Sequence, residues 1–153
     1  MTMSIRTMMV VLLLFSVSAV NAQPVPTPEK MINEGNYRGT PWISGGVGEE
    51  ERKYLLKEYA EDFNLKLEFA VAQGDYLADV WVRITKPTGE VVVNSLSDGP
   101  WFMTKLPAGT YQVQAMGFGK KFEKTIQVPA TGLHTLVFNQ WTKAEVAEQT
   151  PGY

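Results

Sequence analysis

One histidine, His134, and no cysteine in 153 residues leave few groups for catalysis. A zinc site built on two or more His or Cys ligands cannot be assembled from that inventory, and no metal or cofactor is expected. His134 falls near the start of a predicted strand with no partner of matching chemistry, which reads as a surface or half-buried strand residue rather than a general base. Ser95 or Ser97, with Asp98 and His134, have the residue types of a nucleophilic triad, but neither serine sits in a nucleophile elbow. Glu49, Glu50 and Glu51 could recruit a cation, yet three carboxylates in one helical turn point in different directions, and complementation of a helix dipole accounts for them. Asp75, Asp79 and Asp98 lie at or near turns, where a local hydrogen bond to the backbone is the usual reason for an aspartate, and no calcium-loop spacing joins them. Gly45-Gly46-Val47-Gly48 offers backbone N–H groups of the kind that cradle an anion; without the lysine and strand of a phosphate loop it reads as an entry into a helix.

Aromatic side chains remain, and their chemistry is binding rather than conversion. Trp81 is out of phase with Val80 and Val82, so it faces away from the core of its own sheet. There it either stacks on a sugar ring or a partner's side chain, or lies under a covering helix; the helix is the expectation, because an amphipathic stripe must find an apolar surface. Trp81, Phe102 and Trp42 together would make the stacking surface of a carbohydrate-binding module, and Tyr37 and Trp42 would otherwise anchor the N-terminal arm or a partner. Trp101 reads as core.

The elements that position these residues follow from changes of period. Arg6, the apolar run Met8 to Phe15 and the short side chains of Val20-Asn21-Ala22 predict a signal peptide over 1–22, since the run is shorter than the roughly 20 residues that cross a bilayer. Residues 23–46 hold Pro24, Pro26, Pro28 and Pro41 and read as a Pro/Gly-rich arm without regular structure. Over 47–63, Leu55, Leu56, Tyr59, Ala60 and Phe63 share one helical face behind an acidic first turn. From Asn64 the period becomes two, and seven strands separated by turn residues fill 64–141, which predicts a two-sheet antiparallel sandwich preceded by one amphipathic helix. Residues 142–153 read as a flexible tail.

Arg6 is the single basic residue of the signal segment, so the remainder keeps all 16 acidic residues and loses one of 14 basic ones. That mild acidity, with no basic stripe, argues against nucleic acid, and no later apolar run argues for a membrane span. Export without cysteine predicts a periplasmic or secreted protein that folds without disulfides and carries no lipid on a thiol.

Ala78-Asp79-Val80, the Asp98-Gly99 turn and Leu106-Pro107-Ala108-Gly109-Thr110-Tyr111 resemble the carboxypeptidase regulatory-like domains, which have a transthyretin-like (prealbumin-like) β-sandwich. The resemblance covers about residues 64 to 139. It implies a seven-stranded, all-β, non-catalytic accessory module; no peptidase domain accompanies it here, so the expected role is binding an envelope protein or an envelope polymer such as a polysaccharide. Transthyretin-like hydrolases of 5-hydroxyisourate are the enzymatic alternative, and they end in Tyr-Arg-Gly-Ser. The chain has Tyr37-Arg38-Gly39-Thr40, but in the arm, with Thr in the last place and without that site's several histidines, so the match reads as chance.

Overall fold

The computed structural model describes Pro24 and residues 26–149; the predicted signal peptide and residues 150–153 lie outside them. After a 3-10 turn at Pro28–Met31 come β1 (Asn33–Tyr37), β2 (Thr40–Gly45), α1 (Glu49–Tyr59), β3 (Leu65–Val71), β4 (Val80–Thr85), β5 (Val91–Ser97), β6 (Trp101–Thr104), β7 (Gly109–Gly117), β8 (Lys120–Val128), β9 (His134–Trp141) and α2 (Lys143–Gln149). The strands form a five-stranded sheet ordered β1-β2-β6-β3-β9 and a four-stranded sheet ordered β5-β4-β7-β8. The protein is a two-sheet β-sandwich. Its interior is built by strict alternation on β4: Val80, Val82 and Ile84 are fully buried beside Val113 of β7 while Trp81 and Arg83 point outward, and Leu65, Leu67 and Phe69 of β3 oppose them with Phe138 of β9. Burial of each such side chain is worth about 1.5–3 kcal/mol.

A second cluster lies on the outer face of the five-stranded sheet, where Leu55 of α1 meets Ile43, Trp101 and Met103, bordered by Tyr59 and Phe63. The helix therefore covers this face and not the one carrying Trp81, which corrects the expectation from the stripe. The reason lies in the arm. Residues 33–45 form the β1–β2 hairpin instead of an unstructured lead-in, and β2 pairs with β6 to set Ile43 beside Met103, completing an apolar bed for α1. Pro41 is tolerated in β2 because Asn36↔Pro41 follows the turn-closing pair Tyr37↔Thr40, so the proline nitrogen points away from β1. On its other side β6 ends at Thr104, whose hydroxyl donates to the Pro41 carbonyl at 2.8 Å.

Two further expectations change. Every neighbouring pair of strands is antiparallel save β3 and β9, which run parallel from Leu65↔His134 to Phe69↔Phe138. The segment after Trp141 is helical over α2 rather than a flexible tail, because Thr142-Lys143-Ala144-Glu145 is a reciprocal cap: the Glu145 amide donates to the Thr142 hydroxyl at 3.3 Å and the Thr142 amide to the Glu145 carboxylate at 2.9 Å. That amide bond, with Lys120 at 3.2 Å, holds the Glu145 carboxyl below its ordinary value. The cap's contribution is thus present above the unfolded carboxyl pKa and is lost as pH falls through the folded one.

Asn64, just ahead of β3, fastens three connections. Its buried carboxamide nitrogen donates to the carbonyls of Leu106 (2.7 Å) and Pro129 (2.9 Å), and its oxygen accepts from the Leu106 amide at 2.9 Å. Beside it, the Tyr111 hydroxyl donates to the Pro107 carbonyl at 2.8 Å and closes the β6–β7 connection on itself. Replacing Asn64 by Ala would leave a buried amide and buried carbonyls without partners. Urea unfolding of Asn64→Ala should show a loss of about 2–4 kcal/mol; a midpoint within error of the parent would mean that water or backbone shifts replace all three bonds.

Candidate functional site

The outer face of the four-stranded sheet is the broad sheet surface that no helix covers among the described residues. Strand register arranges its outward side chains in rows across β5, β4, β7 and β8: Leu96, Trp81, Met116 and Lys121 in one, Asn94, Arg83, Gln114 and Glu123 in the next. Trp81 is 41% and Leu96 42% exposed, so the first row offers an aromatic ring and an aliphatic side chain to solvent. The second row and the Gln112 position beyond it are amide and charged groups.

These groups hold one another in place. The Trp81 indole N–H donates to the Asn94 side-chain oxygen at 2.7 Å, fixing one edge of the ring to the neighbouring strand. Gln112 and Gln114 both donate their amide nitrogens to Glu123, at 2.5 and 2.7 Å, leaving their carbonyl oxygens free to accept. The Thr110 hydroxyl donates to Gln127 at 2.7 Å at the far end of the same face. An aromatic surface with flanking donors and acceptors already ordered loses less side-chain entropy on binding than mobile side chains would.

The four aromatic residues singled out in the sequence do not converge. Phe102 is fully buried, stacked on Trp42 at 5.5 Å and 19°, and so contacts no partner; this corrects its place among the binding residues. The cause is parity: β6 is sandwiched between β2 and β3, and Phe102 and Thr104 point into the sandwich while Trp101 and Met103 point at α1. Trp42 is half-buried, its ring lying over the backbone of Gly35 across the hairpin, where a Cβ at Gly35 would overlap the ring. Tyr37 is half-buried near the hairpin turn, 5.5 Å from the Arg38 guanidinium carbon. Trp101 is core, but under the helix, with the Lys66 ammonium 3.8 Å from its ring centre and its own indole N–H buried without a partner.

The remaining chemical candidates are occupied structurally. Glu51 is 2% exposed and accepts the Gly46 amide at 2.7 Å, so the glycine-rich cradle before α1 is filled by the chain's own carboxylate. Arg52 donates to the carbonyls of Gly46 (2.7 Å) and Val47 (3.0 Å) and fixes the same loop. Glu49 and Glu50 each pair with Lys53 at 2.9 Å in solvent, and the hydrogen bond from Lys53 holds the Glu49 carboxyl below its ordinary value. Asp98 accepts from the Ser44 hydroxyl, Asp75 pairs with Lys143 at 2.6 Å, and Ser97, fully buried, donates to the Gly99 carbonyl at 2.8 Å. His134 is exposed, and its amide donates to the Asn64 carbonyl at 3.0 Å. Among the described residues no three His, Cys, Asp or Glu side chains are placed to hold a metal.

Asn94, Leu96, Gln112, Gln114, Met116 and Glu123 are the members of the face that sequence reasoning did not name. The signal that finds them is outward parity on β5, β7 and β8, but it becomes usable only once the register with Trp81 is known. No family model matches the chain, and neither does any curated protein.

Because Trp81 is exposed while Trp101 and Trp141 are buried, its removal should be optically large and energetically small. Trp81→Phe should blue-shift the remaining tryptophan emission and change stability by no more than about 0.5 kcal/mol. A red shift, or a larger loss of stability, would place Trp81 in a covered position.

Proposed function

We propose that the protein is an exported, non-catalytic binding module of the cell envelope, periplasmic or secreted, which takes a saccharide polymer on the outer face of its four-stranded sheet. The observation that carries this reading is the exposed Trp81 ring, edge-fixed by Asn94 and bordered by the Gln112–Glu123–Gln114 network. A sugar ring presents an apolar face of C–H groups and an equatorial edge of hydroxyls, which an aromatic ring beside amides and a carboxylate matches term for term. The amide-rich second row argues against a protein partner, whose interface centre would call for a wider apolar patch than Leu96, Trp81 and Met116 provide.

The carboxypeptidase regulatory-like resemblance, and with it a prealbumin-like arrangement of β3 to β9, supports a sandwich used for attachment or recognition rather than turnover. The exposed position of the single histidine and the structural use of Ser97 and Glu51 support the same reading. Export rests on Arg6, the apolar run to Phe15 and Val20-Asn21-Ala22.

The test is binding of the mature chain and of Trp81→Ala to an array of envelope and storage glycans. Retained glycans should bind the variant about tenfold more weakly or worse, the equivalent of one lost aromatic contact. Glycan binding that is indifferent to Trp81, or no glycan binding at all, would overturn the proposal.

A further inference from the structure

A separate concavity lies at one end of the sandwich, where three connections meet. It measures about 320 Å³ and is walled by the β1–β2 turn, the β4–β5 hairpin and the β6–β7 connection. Each contributes a cation: Arg38 from the first, Lys86 from the second and Lys105 from the third. Glu90 is the one carboxylate in the lining, and it is already engaged by Lys86 at 2.8 Å, which leaves the lining with a surplus of two positive charges. Among the described residues neither Arg38 nor Lys105 has a carboxylate partner, on a chain whose acidic residues outnumber its basic ones 16 to 14. The floor is apolar, with Val92 and Leu106 buried beneath the cations.

The backbone at Arg38 carries independent information. Arg38 and Gly39 have φ of 49° and 92°, the two-residue turn with both central residues left-handed, for which Asn-Gly is the favoured pair. A left-handed φ is disfavoured for arginine. Among the described residues two other non-glycine residues have positive φ, and both have a local reason: Phe118 packs its ring against the core, and Asp79 is of a type that tolerates the conformation. Arg38 is exposed, with its guanidinium 5.5 Å from the Tyr37 ring, a contact that restrains the group without neutralising it. An unfavourable backbone conformation that stations an unpaired cation at the rim of a basic cavity points to a ligand.

We propose that this cavity is an anion-binding site for a small organic anion of about monosaccharide size, a carboxylate or a phosphate monoester, held by Arg38, Lys105 and Lys86 over the apolar floor. Arginine supplies the paired N–H groups that fit either oxyanion, and the two lysines add charge without dictating which. The site is independent of the sheet-face reading, since it uses none of the residues around Trp81.

The experiment is amide chemical-shift titration of the 15N-labelled mature chain with glucose 6-phosphate, gluconate and, as the neutral control, glucose. The phosphate, the carboxylate or both should give saturable shifts centred on residues 38–40, 86–92 and 105–107, and glucose should give none there. Lys105→Ala should weaken the binding about tenfold or more. Arg38→Asn should abolish it while raising the melting temperature, because the turn gains its favoured residue as the site loses its guanidinium. That opposed pair of effects is not expected of a residue with only a structural role. Absence of saturable shifts up to about 10 mM of each anion would overturn the proposal. So would shifts elsewhere, or binding that survives both substitutions.

Discussion

The carboxamide of Asn64 holds three segments of the chain at one point: the start of β3, the β6–β7 connection at Leu106 and the β8–β9 connection at Pro129. Its backbone acts in the same place, with the amide donating to Thr104 at 3.3 Å and the carbonyl accepting from His134 at 3.0 Å. One residue thereby sets β3 between an antiparallel neighbour and a parallel one. Parallel pairing has no tight turn to fix its register, so it needs such an anchor. A buried amide satisfied on both its donor and acceptor sides stabilises one arrangement and penalises every slipped alternative. The same bonds lock Leu106-Pro107, which shape one wall of the basic cavity, and the Tyr111 hydroxyl holds the Pro107 carbonyl.

From that fixed frame the two outer faces diverge. The five-stranded sheet is closed by α1, which is tied down by apolar contact with Ile43, Trp101 and Met103 and by Glu51 reaching back to Gly46. Gly45 and Gly99 approach so closely that a Cβ on Gly99 would overlap the Gly45 backbone, so the Asp98-Gly99 turn and the helix entry brace each other. Among the described residues the four-stranded sheet has no such cover. Its outward residues satisfy one another in the plane of the face instead, and Trp81 is held at one edge by Asn94 with its ring exposed.

The strands β4, β7 and β8 were legible because each alternates and runs into a turn holding Gly or Pro. The hairpin β1–β2 was not, since Asn33-Glu34-Gly35-Asn36-Tyr37 is polar and its partner strand begins with a proline whose harmlessness depends on register. Losing that hairpin also misplaced α1: without Ile43 in a strand, the only apolar surface in view for Leu55 and Tyr59 was around Trp81. Phe102 was misread by one position of parity, which a four-residue strand rich in apolar side chains cannot reveal. The outward phase of Trp81 was legible from its strand alone. Its amide neighbours were not, because cross-strand register is a property of the fold. The Thr142–Glu145 cap was written in the sequence as a recognisable spacing and went unread beside the polar residues around it.

The central claim is that the uncovered sheet face is where the protein meets its ligand. It is tested most directly by backbone amide shifts of the labelled mature chain during titration with a neutral oligosaccharide cut from a glycan that the protein retains. The account predicts saturable shifts at residues 81–83, 94–96 and 112–116, in the rows that Trp81 and Gln114 define. Saturable shifts confined to α1 and β2, or to the basic cavity, would contradict it.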